Sequence, residues 1–258
     1  MQLIDSHCHL DRLDTSAISL GAIVDQARAN NIEHILCVAI DEHNTPGCIE
    51  LAEQYDLSSS AGIHPLSASA ESDFSVIAEL AHHRKVVAIG ETGLDYYYKP
   101  ETISHQQLLF KKHIQLACQL DKPIIVHTRD ARQDTVSLLK DEGRGQLKGV
   151  IHCFTEDLPT AKAFLELGFY ISFSGIVTFR NASDLRETMK HIPLERLLIE
   201  TDAPYLTPVP LRGKPNYPVN VVHVAECVAQ VKGISISEVA QVTTENYYTL
   251  FGSPNEIS

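Results

Sequence analysis

Residues 2–11 read QLIDSHCHLD. A short β-rich run, QLIDS, passes within a few positions into two histidines that flank a cysteine. In an extended chain successive side chains point to opposite faces, so His7 and His9 share one face and Cys8 takes the other. His-x-His is then half of a candidate metal site, with the cysteine as scaffold. One such pair decides nothing alone, because one ring can bond a backbone group while the other faces water. The fold is decided by recurrence: a short apolar run ending in a polar side chain appears again and again along the chain.

Further runs occupy 34–40 (HILCVAI), 58–63 (SSSAGI), 86–90 (VVAIG), 123–126 (PIIV), 149–151 (GVI), 170–174 (YISFS) and 196–200 (RLLIE). Segments with helical periodicity lie between and after them, at 18–30, 46–55, 73–83, 103–120, 130–141, 158–167, 182–190, 218–231 and 235–250. Alternation of strand and helix predicts parallel pairing. Pro123, at the first residue of its run, and Gly168, just past a helical segment, mark changeovers. Eight βα units in 258 residues fit an α/β fold of the (β/α)8 TIM-barrel type better than an open sheet. No G-x-G-x-x-G loop follows the first run, and no linker divides the chain, so one domain over residues 1–258 is expected.

The hydrophobic content of 44% and charged content of 21% are those of an ordinary globular protein. No segment has the roughly 18 uninterrupted apolar residues of a membrane span. No basic region precedes the first apolar residues, so a cytoplasmic location and no membrane partner are expected. Cys8, Cys37, Cys48, Cys118, Cys153 and Cys227 form no C-x-x-C pair and read as reduced, buried thiols. A net charge of −12 argues against a broad basic face for duplex nucleic acid. It leaves room for an anionic substrate held by cations in a cleft, since a bound ion can be the largest charge in a site.

On this frame the unusual polar residues fall at C-terminal strand ends, where barrel active sites are built. His7 and His9 end the first run, His64 the third, Glu91 the fourth, His127 the fifth, His152 the sixth and Asp202 the eighth. Seven unpaired polar groups in one barrel mouth would be costly, whereas neutral imidazoles and carboxylates form a compatible ligand set. The set exceeds one tetrahedral ion and suits two divalent ions bridged by a carboxylate. His82, His83, His105, His113 and His223 fall in helical segments, His34 opens a strand on the opposite face, and His43 and His191 lie in connections. These are structural or solvated.

The motifs DSHCHLD, GIHP, AIGETGLDYYY, PIIVHTRDA, IHCF and LLIETDAPYLTPVPLRGKPN, taken together and in this order, resemble the TatD-type metal-dependent hydrolases of the amidohydrolase-like superfamily. The resemblance spans the chain. It implies that His7, His9 and Asp202 bind one metal, that His127 and His152 bind a second, and that Glu91 bridges them, where many relatives use a carbamylated lysine. It places His64 beside substrate or a leaving oxygen. After RGK the family commonly shows an N-E-P-like segment; here PNYP puts Tyr217 in place of the acid, which bears on substrate choice.

The implied activity is hydrolysis of phosphodiester bonds, of the deoxyribonuclease type and at a 3′ end, by a metal-activated water with Asp202 as general base. Imidazole-rich ligation suits Zn, Mn, Ni or Co, and the family resemblance adds Mg. DNA or a small phosphodiester is the expected partner, and no obligate protein partner is evident. Arg129, Arg180, Arg212 and Lys214 are candidate phosphate contacts, and Tyr96, Tyr97 and Tyr98 either stack on unpaired bases or pack in a loop. Two other readings stay open: a hydrolase of a small-molecule lactone, amide or amine, and a non-catalytic metal-binding protein.

Overall fold

The computed structural model describes residues 2–252. Eight strands hydrogen-bond side by side in chain order: β1 (Leu3–Cys8), β2 (Ile32–Cys37), β3 (Ser58–Ala61), β4 (Val86–Asp95), β5 (Ile124–Arg129), β6 (Gly149–Ile151), β7 (Tyr170–Phe173) and β8 (Leu197–Ile199). Every neighbouring pair is parallel. Helices α1 (Leu20–Ala29), α2 (Thr45–Gln54), α3 (Phe74–Leu80), α4 (Ile103–Leu120), α5 (Arg132–Gly143), α6 (Leu158–Glu166) and α7 (Ser183–His191) connect successive strands. Two more, α8 (Val221–Lys232) and α9 (Ile236–Phe251), follow the last strand. The architecture is a (β/α)8 TIM barrel.

Alternation along the strands sorts the apolar residues into two cores. Ile4, Leu36, Val87, Ile125, Val150 and Leu198 fill the barrel interior near the strand starts, joined by Tyr247, Leu250 and Phe251 of α9. Leu3, Ile35, Val86, Ile124 and Leu197 face the helices. Cys8 is in this outer core and fully buried, although strict alternation would seat it with Ile4; the β1–β2 register shifts between Asp5 and Cys8, and beyond that break Cys8 faces the helices while His7 turns to the site.

Several boundaries differ from expectation; β5, for one, runs on to Arg129, so His127 lies within the strand and not at its end. β2 begins at Ile32, so His34 sits inside the strand instead of opening it; its Nε2 lies 2.8 Å from Ser58 Oγ and its ring packs against Tyr247. The apolar residues Val38 and Ala39 extend past the ladder, which drew the expected run toward the C-terminus. β4 is longer than its apolar run and continues to Asp95, placing Glu91 within the strand. The β4–β5 register breaks between Ile89 and Thr92, and within the break Glu91 donates its N–H to the Ala39 carbonyl (2.9 Å).

The barrel closes between β8 and β1. Asp5 Oδ1 accepts from the Thr201 N–H (2.8 Å) and Asp5 Oδ2 from the Thr201 hydroxyl (2.5 Å), while Ser6 Oγ donates to the Ile199 carbonyl (2.9 Å). Just beyond, Asp202 donates its N–H to the His7 carbonyl (3.0 Å) and His9 donates its own to Ala203 (2.8 Å). The two ends of the chain's strand set are thereby locked in register at the level of the candidate ligands. Among the described residues no helix is long and apolar enough to cross a membrane.

Candidate metal centre

His7, His9, Glu91, His127, His152 and Asp202 converge at the C-terminal mouth of the barrel. Glu91 is central. Its Oε2 lies 3.3 Å from His7 Nε2 and 3.7 Å from His9 Nε2, and its Oε1 lies 3.3 Å from His127 Nδ1 and 2.8 Å from His152 Nε2. Asp202 Oδ1 stands 3.7 Å from His7 Nε2 and 3.5 Å from His9 Nε2. Three overlapping sets have their donor atoms within 4.8 Å of one another: His7, His9 and Glu91; His7, His152 and Asp202; His64, Glu91 and His127.

In His9, His127 and His152 the partner of the outward nitrogen fixes which nitrogen can coordinate. A backbone carbonyl only accepts, so His9 Nδ1, 3.0 Å from Val38 O, carries the proton and leaves the Nε2 lone pair inward. His127 Nε2 donates to Asp95 (3.2 Å), freeing Nδ1, and His152 Nδ1 donates to Glu200 (3.3 Å), freeing Nε2. His64 is arranged the other way. The Leu66 N–H can only donate, so His64 Nδ1 accepts it (3.0 Å) and the neutral ring keeps its proton on Nε2, 3.2 Å from Glu91 Oε1. His64 therefore presents a donor to the site where the others present lone pairs, and proximity alone does not make it a ligand.

Electrostatics keep the carboxylates ionised. Burial by itself raises the Glu91 carboxyl, but the imidazoles of His152, His64 and His127 pull it well below the usual range. Burial is likewise outweighed at Asp202, which the hydrogen bond with His9 and the charges of His7 and His152 hold low. At His152 burial disfavours the charged ring, yet Glu91 and Glu200 raise it well above an ordinary histidine. Such mutual neutralisation is what a cation would take over, and buried inward-facing lone pairs with two carboxylates fit a divalent ion.

The profile of the family described as TatD related DNase matches residues 4–252. The chain belongs to the TatD family. It is 49% identical over 257 residues to the uncharacterised metal-dependent hydrolase YcfH of Escherichia coli K12, covering 97% of this chain and 96% of that protein. The crystal structure of YjjV, a TatD homologue from E. coli K12, superposes with a TM-score of 0.87 at 31% identity and covers 98% of each chain. A hydrolase of the TatD family from Entamoeba histolytica gives 0.85 at 25% identity, over 98% of this chain and 99% of that one. The TatD-family chain is thus a metal-dependent hydrolase.

The cavity above the cluster has a volume of about 630 Å³ and is walled by His9, His64, Glu91, His127, His152 and Asp202 together with Arg12, Arg129, Tyr98 and Tyr205. Of the four cationic residues singled out in the sequence, only Arg129 lines it. Arg212 instead donates to the Thr207 carbonyl (2.8 Å) and covers the Phe179 ring at 3.9 Å, while Arg180 and Lys214 are exposed away from the cavity. Arg12 was missed because it sits in the short 3-10 turn after His9 with no motif to flag it. Tyr96 is committed to packing, its hydroxyl donating to Asp134 (2.7 Å) and accepting from Gln107 (2.7 Å). Tyr97 and Tyr98 are 57% exposed, and the Arg129 guanidinium lies over both rings at 4.5 and 4.6 Å. Tyr217 donates to the Asp14 carbonyl (3.1 Å), outside the cavity wall, and its neighbour Asn216 ties Thr201 to Tyr205.

Asp95 and Glu200 were also missed as site residues. A signal existed for Asp95, since Glu91, Gly93 and Asp95 fall at every second position of one strand; Glu200 and Asp202 lie past the end of β8, where Asp202 takes φ +55 and alternation no longer applies.

Proposed function

We propose that this TatD-family hydrolase cleaves phosphodiester bonds of DNA, as a deoxyribonuclease working from a 3′ end, with two divalent cations. The observation that carries the reading is the position of Glu91, whose two oxygens each face a separate pair of histidine nitrogens. In this reading His7, His9 and Asp202 hold one cation, His127 and His152 the other, and Glu91 both. The imidazole-rich set suits Zn, Mn, Ni or Co, with Mg as the oxygen-preferring alternative. Bound there, the cations supply the Lewis acidity that activates water and offsets charge on the phosphoryl oxygens.

The chain's own groups do the rest. Asp202, kept ionised and lining the cavity, takes the proton from the attacking water. His64 lines the same space, its Nε2–H 3.2 Å from Glu91 Oε1, where the neutral ring can donate a hydrogen bond to the departing oxygen without giving up its proton. Arg12 and Arg129 put positive charge on the cavity wall of a chain whose net charge is −12, favouring an anionic substrate. Tyr98, braced by Arg129, offers a ring at the rim on which an unpaired base can stack.

The test is one panel run on cation-loaded protein: single- and double-stranded oligonucleotides labelled at either end, an aryl phosphodiester, lactones and amides. Stepwise release of nucleotides from the 3′ end is the expected result. Turnover of lactones or amides with oligonucleotides untouched would overturn the phosphodiester reading, and cation binding without any hydrolysis would return the chain to a binding role.

A further inference from the structure

The four histidines assigned to the two cations are not backed alike. His9 Nδ1 leans on the neutral Val38 carbonyl, and His7 Nδ1 is buried with no hydrogen-bond partner among the described residues. His127 and His152, by contrast, each rest on a buried carboxylate, Asp95 and Glu200. Glu200 gives one oxygen, Oε1, to both His152 and the Cys153 N–H (2.9 Å) and the other to the Ser172 hydroxyl (2.5 Å), whereas Asp95 divides its two oxygens between ring and turn. Its Oδ2 faces His127 Nε2 at 3.2 Å, while its Oδ1 accepts the N–H groups of Tyr97 (3.0 Å) and Tyr98 (2.8 Å) at the cavity rim. Gln106 fixes the Asp95 backbone from α4, its Oε1 accepting the Asp95 N–H (2.8 Å) and its Nε2 donating to the Asp95 carbonyl (3.0 Å). One carboxylate, 1% exposed, therefore spans the distance from a candidate ligand to the substrate-facing turn.

We propose that Asp95 is a positioning residue that sets the tautomer of His127, so that Nδ1 carries the lone pair facing Glu91 and the His127–His152 half can take its cation. This rests on the two-cation reading above. The physical reason is that a carboxylate can only accept, so it holds the ring proton on Nε2 and raises the basicity of the opposite nitrogen. Asp95→Asn separates this role from mere support of the turn. The asparagine oxygen can keep both tyrosine N–H groups, which leaves the amide NH2 facing His127 Nε2. A donor there favours the tautomer with the proton on Nδ1, the nitrogen that must coordinate.

The experiment has two readouts. Nitrogen-15 NMR of histidine-labelled, cation-free protein, at a pH high enough to leave the ring neutral, should place the His127 proton on Nε2 in the wild type and on Nδ1 in Asp95→Asn. Calorimetric titration with Zn or Mn should show two cations in the wild type and, in the variant, about a 10–100-fold loss at one of them with the other unchanged. A His127 proton that stays on Nε2, or a variant that binds both cations with wild-type affinity, overturns the proposal. If the wild type binds fewer than two cations, the two-cation reading fails while the tautomer result still judges Asp95. Should Asp95→Asn not fold, a wild-type ring protonated on Nδ1 is enough to overturn it.

Discussion

Asp5 and Thr201, 196 positions apart, meet through two hydrogen bonds that use both oxygens of one carboxylate and both donors of one residue. Asp5 precedes His7 by two residues and Thr201 directly precedes Asp202, so this contact sets the spacing between ligands contributed by the first and last strands. Asp5→Ala leaves the buried Thr201 N–H and hydroxyl without an acceptor, which costs about 1–3 kcal/mol for each unsatisfied group. We expect a lower denaturant midpoint and weaker cation binding together. Unchanged cation affinity in a destabilised variant would separate the seam from the site.

His64→Gln tests the distinction between a donor and a ligand. Because the ring keeps its proton on Nε2, the variant should retain the full complement of cations and lose about 10²–10⁴-fold in turnover. His127→Gln should lose a cation as well. Metal analysis after gel filtration, set beside initial rates, tells the two apart; loss of a cation in His64→Gln contradicts the assignment.

Gly93 has φ +136, and a Cβ built there would stand 2.0 Å from the His127 carbonyl oxygen. An alanine must therefore push β5 away at the residue that carries a candidate ligand. Gly93→Ala is expected to lower stability by more than about 3 kcal/mol, beyond an ordinary surface change. Gly145→Ala is the control, since its φ is also positive but none of the described residues lies within 4 Å of the added carbon. Equal thermal midpoints for the two variants would rule out the close approach as the cause.

Acid should weaken the fold through two histidines remote from the cavity. Burial pushes His34 down to about 4 from an ordinary 6.5, and does the same to His113, whose Nε2 accepts the Ile63 N–H. The folded state thus binds fewer protons than the unfolded chain between those values. Stability from these groups is complete above pH 6.5 and is lost as pH falls through about 4. Urea unfolding of cation-free protein at pH 7 and pH 5 should show this loss, and His34→Gln should reduce it. An identical pH dependence in variant and wild type would exclude His34 as a contributor.

The barrel was legible because its period is simple: apolar runs alternate with helical segments, and the polar residues that break the pattern fall at the run ends. GVI and the 103–120 helix match their observed limits. Glu91 was expected at the end of its run and lies inside β4, past a register break that no local pattern announces. The six candidate ligands could be gathered from one periodicity and one family resemblance. Their outward partners could not, since which carboxylate meets which imidazole is set by packing across strands, as between His152 and Glu200.

The cluster draws on β1, β4 and β5 and on the segments that follow β1, β6 and β8, from His7 to Asp202. During synthesis His7 and His9 emerge before the other candidate ligands, yet Asp202 joins them only when the last strand has docked against β1. A chain stopped before that point has an incomplete centre, so cation capture reports that the barrel has closed. Because a bound ion stabilises only the state that binds it, the cations would act as a clasp on the finished ring, drawing late-folding chains toward completion.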